Sequence, residues 1–60
     1  MCRFVGIVVY LGIIEDIELF EEKTIAFGWL SEKMEEYGEE NCQDSVVWDS
    51  NEKVLWRMYV

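Results

Sequence analysis

The sequence predicts an α+β fold in the order β-β-α-β-β, with a four-stranded antiparallel sheet and one helix packed on one face. Two observations predict it. Four short runs are rich in β-branched and aromatic residues, and the segment between the second and third runs has the apolar spacing of a helix. A chain of 60 residues accommodates one domain, so residues 1–60 are expected to fold as a single unit.

The first two runs predict a hairpin. Residues 3–11 are β-branched or aromatic at most positions, and Gly6 is the only breaker among them. Gly12 permits a turn, and residues 16–21 begin with alternating charged and apolar side chains, which favours a second antiparallel strand. The sequence leaves open where the chain turns between Gly12 and Glu15.

The helix is predicted over residues 24–37. Thr24 is a candidate N-cap, and Gly38 stands where a helix usually ends. Gly28 costs about 1 kcal/mol relative to alanine inside a helix, and we expect it to permit the close approach of a strand. The apolar residues of this segment follow the spacing of one helical face: Ala26, Phe27, Leu30, Met34 and Tyr37.

The last two runs predict a second hairpin, with strands over residues 45–48 and 53–59. Residues 49–52 between them are typical of a turn, because Asp, Ser and Asn side chains bond to their own backbone there.

Apolar side chains are predicted on both faces of the sheet, although one helix covers only one face. Exposed apolar patches of more than a few hundred Å² mark interaction sites. The uncovered face is therefore expected to meet a partner protein or a second copy, unless loops and the stems of charged side chains cover it. The candidate anchors for such a contact are aromatic: Tyr10, Trp48, Trp56 and Tyr59.

Acidic residues provide a second candidate surface. The chain has 13 Asp and Glu against 5 Lys and Arg, and its net charge is -8. Carboxylates about 5–6 Å apart on a helix could imitate nucleic-acid phosphates and bind a basic protein. The alternative is a solvated face that serves solubility. This group, called the acidic row below, consists of Glu32, Glu35, Glu36, Glu39 and Glu40.

The composition argues against several other functions. A negative chain repels the phosphate backbone, so direct nucleic-acid binding is not expected. Without histidine there is no ordinary catalytic triad, and the glycines form no nucleotide-binding motif. We therefore expect neither enzymatic activity nor a cofactor, and no metal ion.

Cysteine content and apolar segments favour a cytoplasmic protein. Cys2 and Cys42 are too few for a disulfide scaffold and too far apart for a metal knuckle, so both are expected to be reduced thiols. The apolar run over residues 4–14 is too short to span a bilayer, so no membrane contact is expected.

The layout resembles that of the small acidic accessory proteins of tailed phages, among them the T4-type Dmd antitoxins. The similarity lies in chain length and in the order of four parts: an apolar strand (RFVGIVVYLG), an acidic strand, one helix and a closing hairpin (SVVWDSNEKVLW). It covers the whole chain and includes no shared motif, so no functional residue is transferred. The resemblance implies a protein that blocks a host RNase toxin, or another host protein, by binding it.

The predicted function is that of a non-enzymatic, antitoxin-like phage inhibitor. It would occlude a basic functional surface of a host nuclease, toxin or nucleic-acid-binding protein, with nucleic-acid mimicry by the acidic row as one route. The acidic row would speed encounter, and the aromatic anchors would prolong binding. The alternative is a small structural module that forms a homodimer through the second face of the sheet.

Overall fold

A computed structural model of the protein describes residues 2–57 and confirms the predicted α+β fold. The strands form one antiparallel sheet in the order β2-β1-β3-β4, and the helix packs across one face of it. The elements in chain order are β1 (Phe4–Tyr10), β2 (Ile13–Phe20), α1 (Lys23–Tyr37), a short 3-10 helix (Glu39–Asn41), β3 (Val46–Asp49) and β4 (Val54–Arg57).

The turn between β1 and β2 is formed by Leu11 and Gly12. Their φ angles are 52° and 83°, and positive values at both central residues are typical of the type I′ turn that matches the twist of a hairpin. β2 therefore begins at Ile13, earlier than the predicted residue 16. The alternating pattern did not reveal this start because a bulge interrupts the register between Val8 and Val9.

The helix α1 ends at the predicted residue but begins differently. Glu22 occupies the N-cap position and makes no capping hydrogen bond through its side chain. The prediction that Thr24 caps the helix is wrong, because Thr24 already lies in the first turn. Gly38 ends the helix with a φ of 95°, a value that favours glycine, and the chain continues into the short 3-10 helix.

The core lies between α1 and the face of the sheet that α1 covers. Leu30, Val8 and Val47 have no exposed surface, so the centre of the helix packs on the two central strands. The buried cluster comprises Phe4, Val8, Ala26, Leu30, Met34, Cys42 and Val47.

Gly6, rather than Gly28, is the glycine that close packing requires. A Cβ atom at position 6 would lie 2.7 Å from Cζ3 of Trp29, so the indole ring occupies the space that a side chain there would need. Gly28 is exposed, and a Cβ atom at this position would meet nothing within 4 Å. The prediction that a strand approaches Gly28 is therefore wrong, because that side of α1 points away from the sheet.

The second hairpin forms as predicted, with its turn shifted by one residue. Asp49 is the last residue of β3, and residues 50–53 make the turn, where Lys53 has a φ of 62°. Residues 58 and 59 of the predicted last strand lie outside the described residues.

Candidate interaction surfaces

The uncovered face of the sheet, called the open face below, is built by all four strands. Residues that are directly opposite in an antiparallel pair lie on the same face, and alternate residues lie on opposite faces. The register of β1 with β2 and β3, and of β3 with β4, therefore fixes which side chains share this face. Its members are Val5, Ile7, Val9, Ile14, Ile17, Leu19, Val46, Trp48, Leu55 and Arg57.

The outer strands of the open face are accessible to water. The exposed fractions are 60% for Ile14, 52% for Ile17, 59% for Leu19 and 55% for Leu55. Loops and the stems of charged side chains therefore leave these residues uncovered. At about 4.8 Å between strands and about 3.3 Å per residue, the face has a projected area on the order of 400 Å², which is the size of an interaction patch.

The open face carries almost no charge. Arg57 is the only charged residue that the register of residues 4–57 places there, and its Nη1 lies 3.6 Å from Oδ1 of Asp44. The carboxylates of Asp16 and Glu18 belong to the opposite face, which α1 covers. Oδ2 of Asp16 lies 3.6 Å from Nζ of Lys33 on the helix. These two charges of β2 are therefore directed away from the open face, while Glu15 lies in the bulge and has no register partner.

The part of the acidic row that belongs to α1 lies on the other side of the molecule. The buried residues of α1 are Ala26, Leu30 and Met34, and at about 100° per residue Glu32 and Glu35 fall on the opposite side of the helix. Both are exposed, as are the remaining members of the row. Within residues 2–57, the three glutamates of the row that belong to α1 take part in no ion pair.

The acidic row does not belong to a single helix. Glu39 and Glu40 lie in the short 3-10 helix that follows Gly38, so the row changes direction at this glycine. The spacing expected along one continuous helix therefore applies only to Glu32, Glu35 and Glu36.

The predicted aromatic anchors do not form one surface. Trp48 lies on the open face, opposite Val5 and Leu55. Tyr10 lies on the helix side, with its ring centroid 5.5 Å from that of Tyr37. Trp56 also lies on the helix side, where Nζ of Lys23 is 3.9 Å from its ring centroid. Tyr59 is outside the described residues.

Sequence reasoning missed the residues that dominate the open face. Ile17 and Leu19 alternate with Asp16 and Glu18, and this pattern already separates an apolar face of β2 from a charged one. The candidate anchors were chosen for their aromatic character, whereas the exposed residues of this face are mainly aliphatic. Aliphatic side chains can form an exposed patch as well as aromatic ones.

Asp49 is the one buried carboxylate among the described residues, and its bonds give it a structural role. Nε and Nη2 of Arg3 donate to its two oxygens at 2.9 and 3.0 Å. The backbone N–H groups of Asn51 and Glu52 donate to Oδ1. The hydrogen bond from Arg3, helped by these amides against the opposing effect of burial, lowers the pKa of Asp49 to about 2. A carboxylate held this way cannot serve as a general acid near neutral pH.

Among the described residues, Cys42 and the cavity beside the 3-10 helix lack the properties of a reactive or ligand-binding centre. Burial, and secondarily the charge of Glu40, raises the pKa of the Cys42 thiol, which makes it a poor nucleophile. Cys2 is exposed. A surface cavity of about 520 Å³ is lined by polar and charged residues, unlike the mostly apolar walls of organic ligand sites: Glu39, Glu40, Gln43, Asp44 and Arg57.

Two specific features are absent from the described residues. Across residues 2–57, no group of three or more Cys, Asp or Glu side chains is arranged to hold a metal ion. In the same part of the chain, no helix has the length and apolar content needed to cross a membrane.

Comparison with known proteins gives no assignment. No protein-family model, curated protein or solved structure matches this chain. The open face and the acidic row are therefore the features from which a function is proposed.

Proposed function

We propose that the protein is a non-enzymatic binding protein whose open face contacts another protein chain. The observation that carries the proposal is the apolar open face, whose edge strands β2 and β4 leave Ile14, Ile17, Leu19 and Leu55 each more than half exposed. Removing about 400 Å² of such surface from water contributes roughly 10 kcal/mol at 25 cal/mol per Å², before the cost of association.

Several contacts support binding rather than catalysis. The buried carboxylate of Asp49 is fully engaged by Arg3 and by backbone amides. The buried thiol of Cys42 has a raised pKa. Neither group is available as a base or nucleophile at neutral pH, so the exposed surfaces are the more promising part of the molecule.

Inhibition of a basic protein through the acidic row is a second candidate function. It is favoured by the exposure of Glu32, Glu35 and Glu36 and by the absence of ion pairs at these residues within the described part of the chain. The target would be a host nuclease, toxin or nucleic-acid-binding protein, as in the resemblance to phage antitoxins.

The two surfaces would serve different contacts. Glu32, Glu35 and Glu36 lie on the outside of α1, whereas the open face lies on the far side of the sheet. One flat protein surface cannot cover both. We therefore propose separate contacts for the helix carboxylates and for the open face, with Trp48 as the described anchor on the open face; that carboxylates and aromatic anchors act together on one partner stays a prediction.

A pair of matched substitutions tests the open face. Ile17→Lys places a charge on this face, and Ile25→Lys makes the same change on the outside of α1. The two substitutions are matched because Ile17 is 52% exposed and Ile25 is 54% exposed. Each immobilised variant is exposed to a lysate that also contains a differently tagged copy of the chain. We expect wild type and Ile25→Lys to retain the same proteins and Ile17→Lys to lose them, because an interface must desolvate the new ammonium group.

A third immobilised variant separates the two candidate functions. This triple variant combines Glu32→Gln, Glu35→Gln and Glu36→Gln. It removes three charges of the acidic row and keeps the size of the side chains. Loss of captured proteins only in this triple variant would support inhibition through the acidic row. Retention of the same proteins by wild type and Ile17→Lys would contradict the role proposed for the open face.

A further inference from the structure

We infer that the open face binds the open face of a second copy of this chain, which gives a homodimer with the two sheets packed together and both helices outside. The inference rests on the proposed function of the open face and names its partner. Two sheets packed face to face lie about 10 Å apart, with their apolar side chains interdigitated.

The distribution of charge supports a second copy over a charged partner. The register places no carboxylate on the open face, and its single Arg57 lies 3.6 Å from Asp44, so the face offers a charged protein few charges to match. An identical apolar face is a suitable match. A two-fold axis would place Ile7 and Val5 of the central strand β1 near the middle and Arg57 of the edge strand β4 near the rim, where its charge stays solvated.

The helix part of the acidic row does not oppose this arrangement, because Glu32, Glu35 and Glu36 lie on the outside of α1. With about 10 Å between the sheets and a comparable distance from each sheet to its helix, the helix axes would be about 30 Å apart. This separation is several times the Debye length of about 8 Å at physiological salt, so repulsion between the two acidic rows is largely screened.

The area of the open face sets the expected strength of the dimer. A projection on the order of 400 Å² per copy is about 800 Å² for both, which is below the range of about 1,200–2,000 Å² for stable specific interfaces and in the range of weak, transient ones. We therefore expect a reversible dimer whose population depends on concentration, rather than an obligate one. The dimer would display two acidic rows on opposite sides, each still open to a basic protein.

Sedimentation equilibrium of the full chain tests the inference, over about 10 µM to about 1 mM protein. Wild type and Ile25→Lys are expected to move from monomer to dimer with the same dissociation constant. Ile17→Lys is expected to raise this constant by about tenfold or more, because dimerisation would bury its charge. Its net charge is less negative than that of wild type, so general repulsion cannot explain a weaker dimer.

Raising NaCl from about 0.1 to about 1 M should leave the dissociation constant of the wild-type dimer unchanged or lower it.

Two results would overturn the inference. One is a wild type that stays monomeric up to about 1 mM; the other is a dimer that Ile25→Lys weakens and Ile17→Lys does not. Circular dichroism of both variants confirms that each remains folded. If wild type is monomeric but captures other proteins that Ile17→Lys loses, the homodimer is excluded. The proposed function of the open face would then remain intact.

Discussion

Replacing Leu30 with alanine is expected to remove a large part of the protein's free energy of unfolding at room temperature. Leu30 has no exposed surface and lies at the centre of the helix-to-sheet contact with Val8 and Val47. Truncating a buried leucine lowers the free energy of unfolding by about 2–5 kcal/mol, because apolar burial is lost and a cavity remains. A domain of this length has a total stability of about 3–9 kcal/mol at 0.05–0.15 kcal/mol per residue, so one cavity removes much of it.

Urea unfolding followed by far-ultraviolet circular dichroism measures this effect, and Ile25→Ala is the matched control. Ile25 is on the same helix but 54% exposed, and its truncation is expected to change the stability by no more than about 0.5 kcal/mol. If Leu30→Ala and Ile25→Ala unfold at the same urea concentration, the packing of α1 described above is wrong.

Asp49→Asn is expected to destabilise the protein strongly at neutral pH and much less in acid. The ion pair of Asp49 with Arg3 and its bonds to the turn amides join the N-terminal segment to the β3–β4 turn. In the folded chain the pKa of Asp49 is about 2, below its usual value of 3.8. A depressed carboxyl pKa stabilises the fold above the unfolded value, and this contribution disappears as the pH falls through the folded value.

The measured quantity is the difference in free energy of unfolding between wild type and Asp49→Asn from pH 7 to pH 2. This difference should be constant above about pH 5 and should shrink between about pH 4 and about pH 2. The other carboxylates are common to both proteins, so their contributions to the free energy of unfolding cancel in this difference. Asp44→Asn is the control, because the pair of Asp44 with Arg57 is solvent-exposed and such pairs contribute 0–1 kcal/mol. A difference for Asp49→Asn that does not vary with pH would contradict its ion-paired state.

The order of elements could be predicted from the sequence because each element has a local signal. The spacing of Ala26, Leu30 and Met34 identified the buried side of α1, and Gly38 marked its end. The β-branched runs identified the strands of both hairpins, because their periodicity is a property of consecutive residues.

The features that the sequence did not predict depend on contacts between distant residues. The need for glycine at position 6 comes from the ring of Trp29 on the helix, which no local pattern reveals. The bulge in the β1–β2 hairpin changes which residues of β2 share a face. The division of Trp48 and Trp56 between opposite faces follows from the register of β3 with β4. For these reasons the candidate aromatic residues were found, but not the surface to which each belongs.

The role of the open face is tested most directly by the solvent accessibility of its methyl groups, measured by NMR with a soluble paramagnetic reagent. The unmodified protein is studied at increasing concentration and with any captured partner, and Ile25 on the outside of α1 is the internal control. We predict that the methyl signals of Ile7, Ile17 and Leu55 become protected from paramagnetic relaxation as the face is covered, while those of Ile25 remain accessible. Methyl groups of Ile17 that stay as accessible as those of Ile25 at every concentration, and with every captured protein, would contradict the proposed role of the open face.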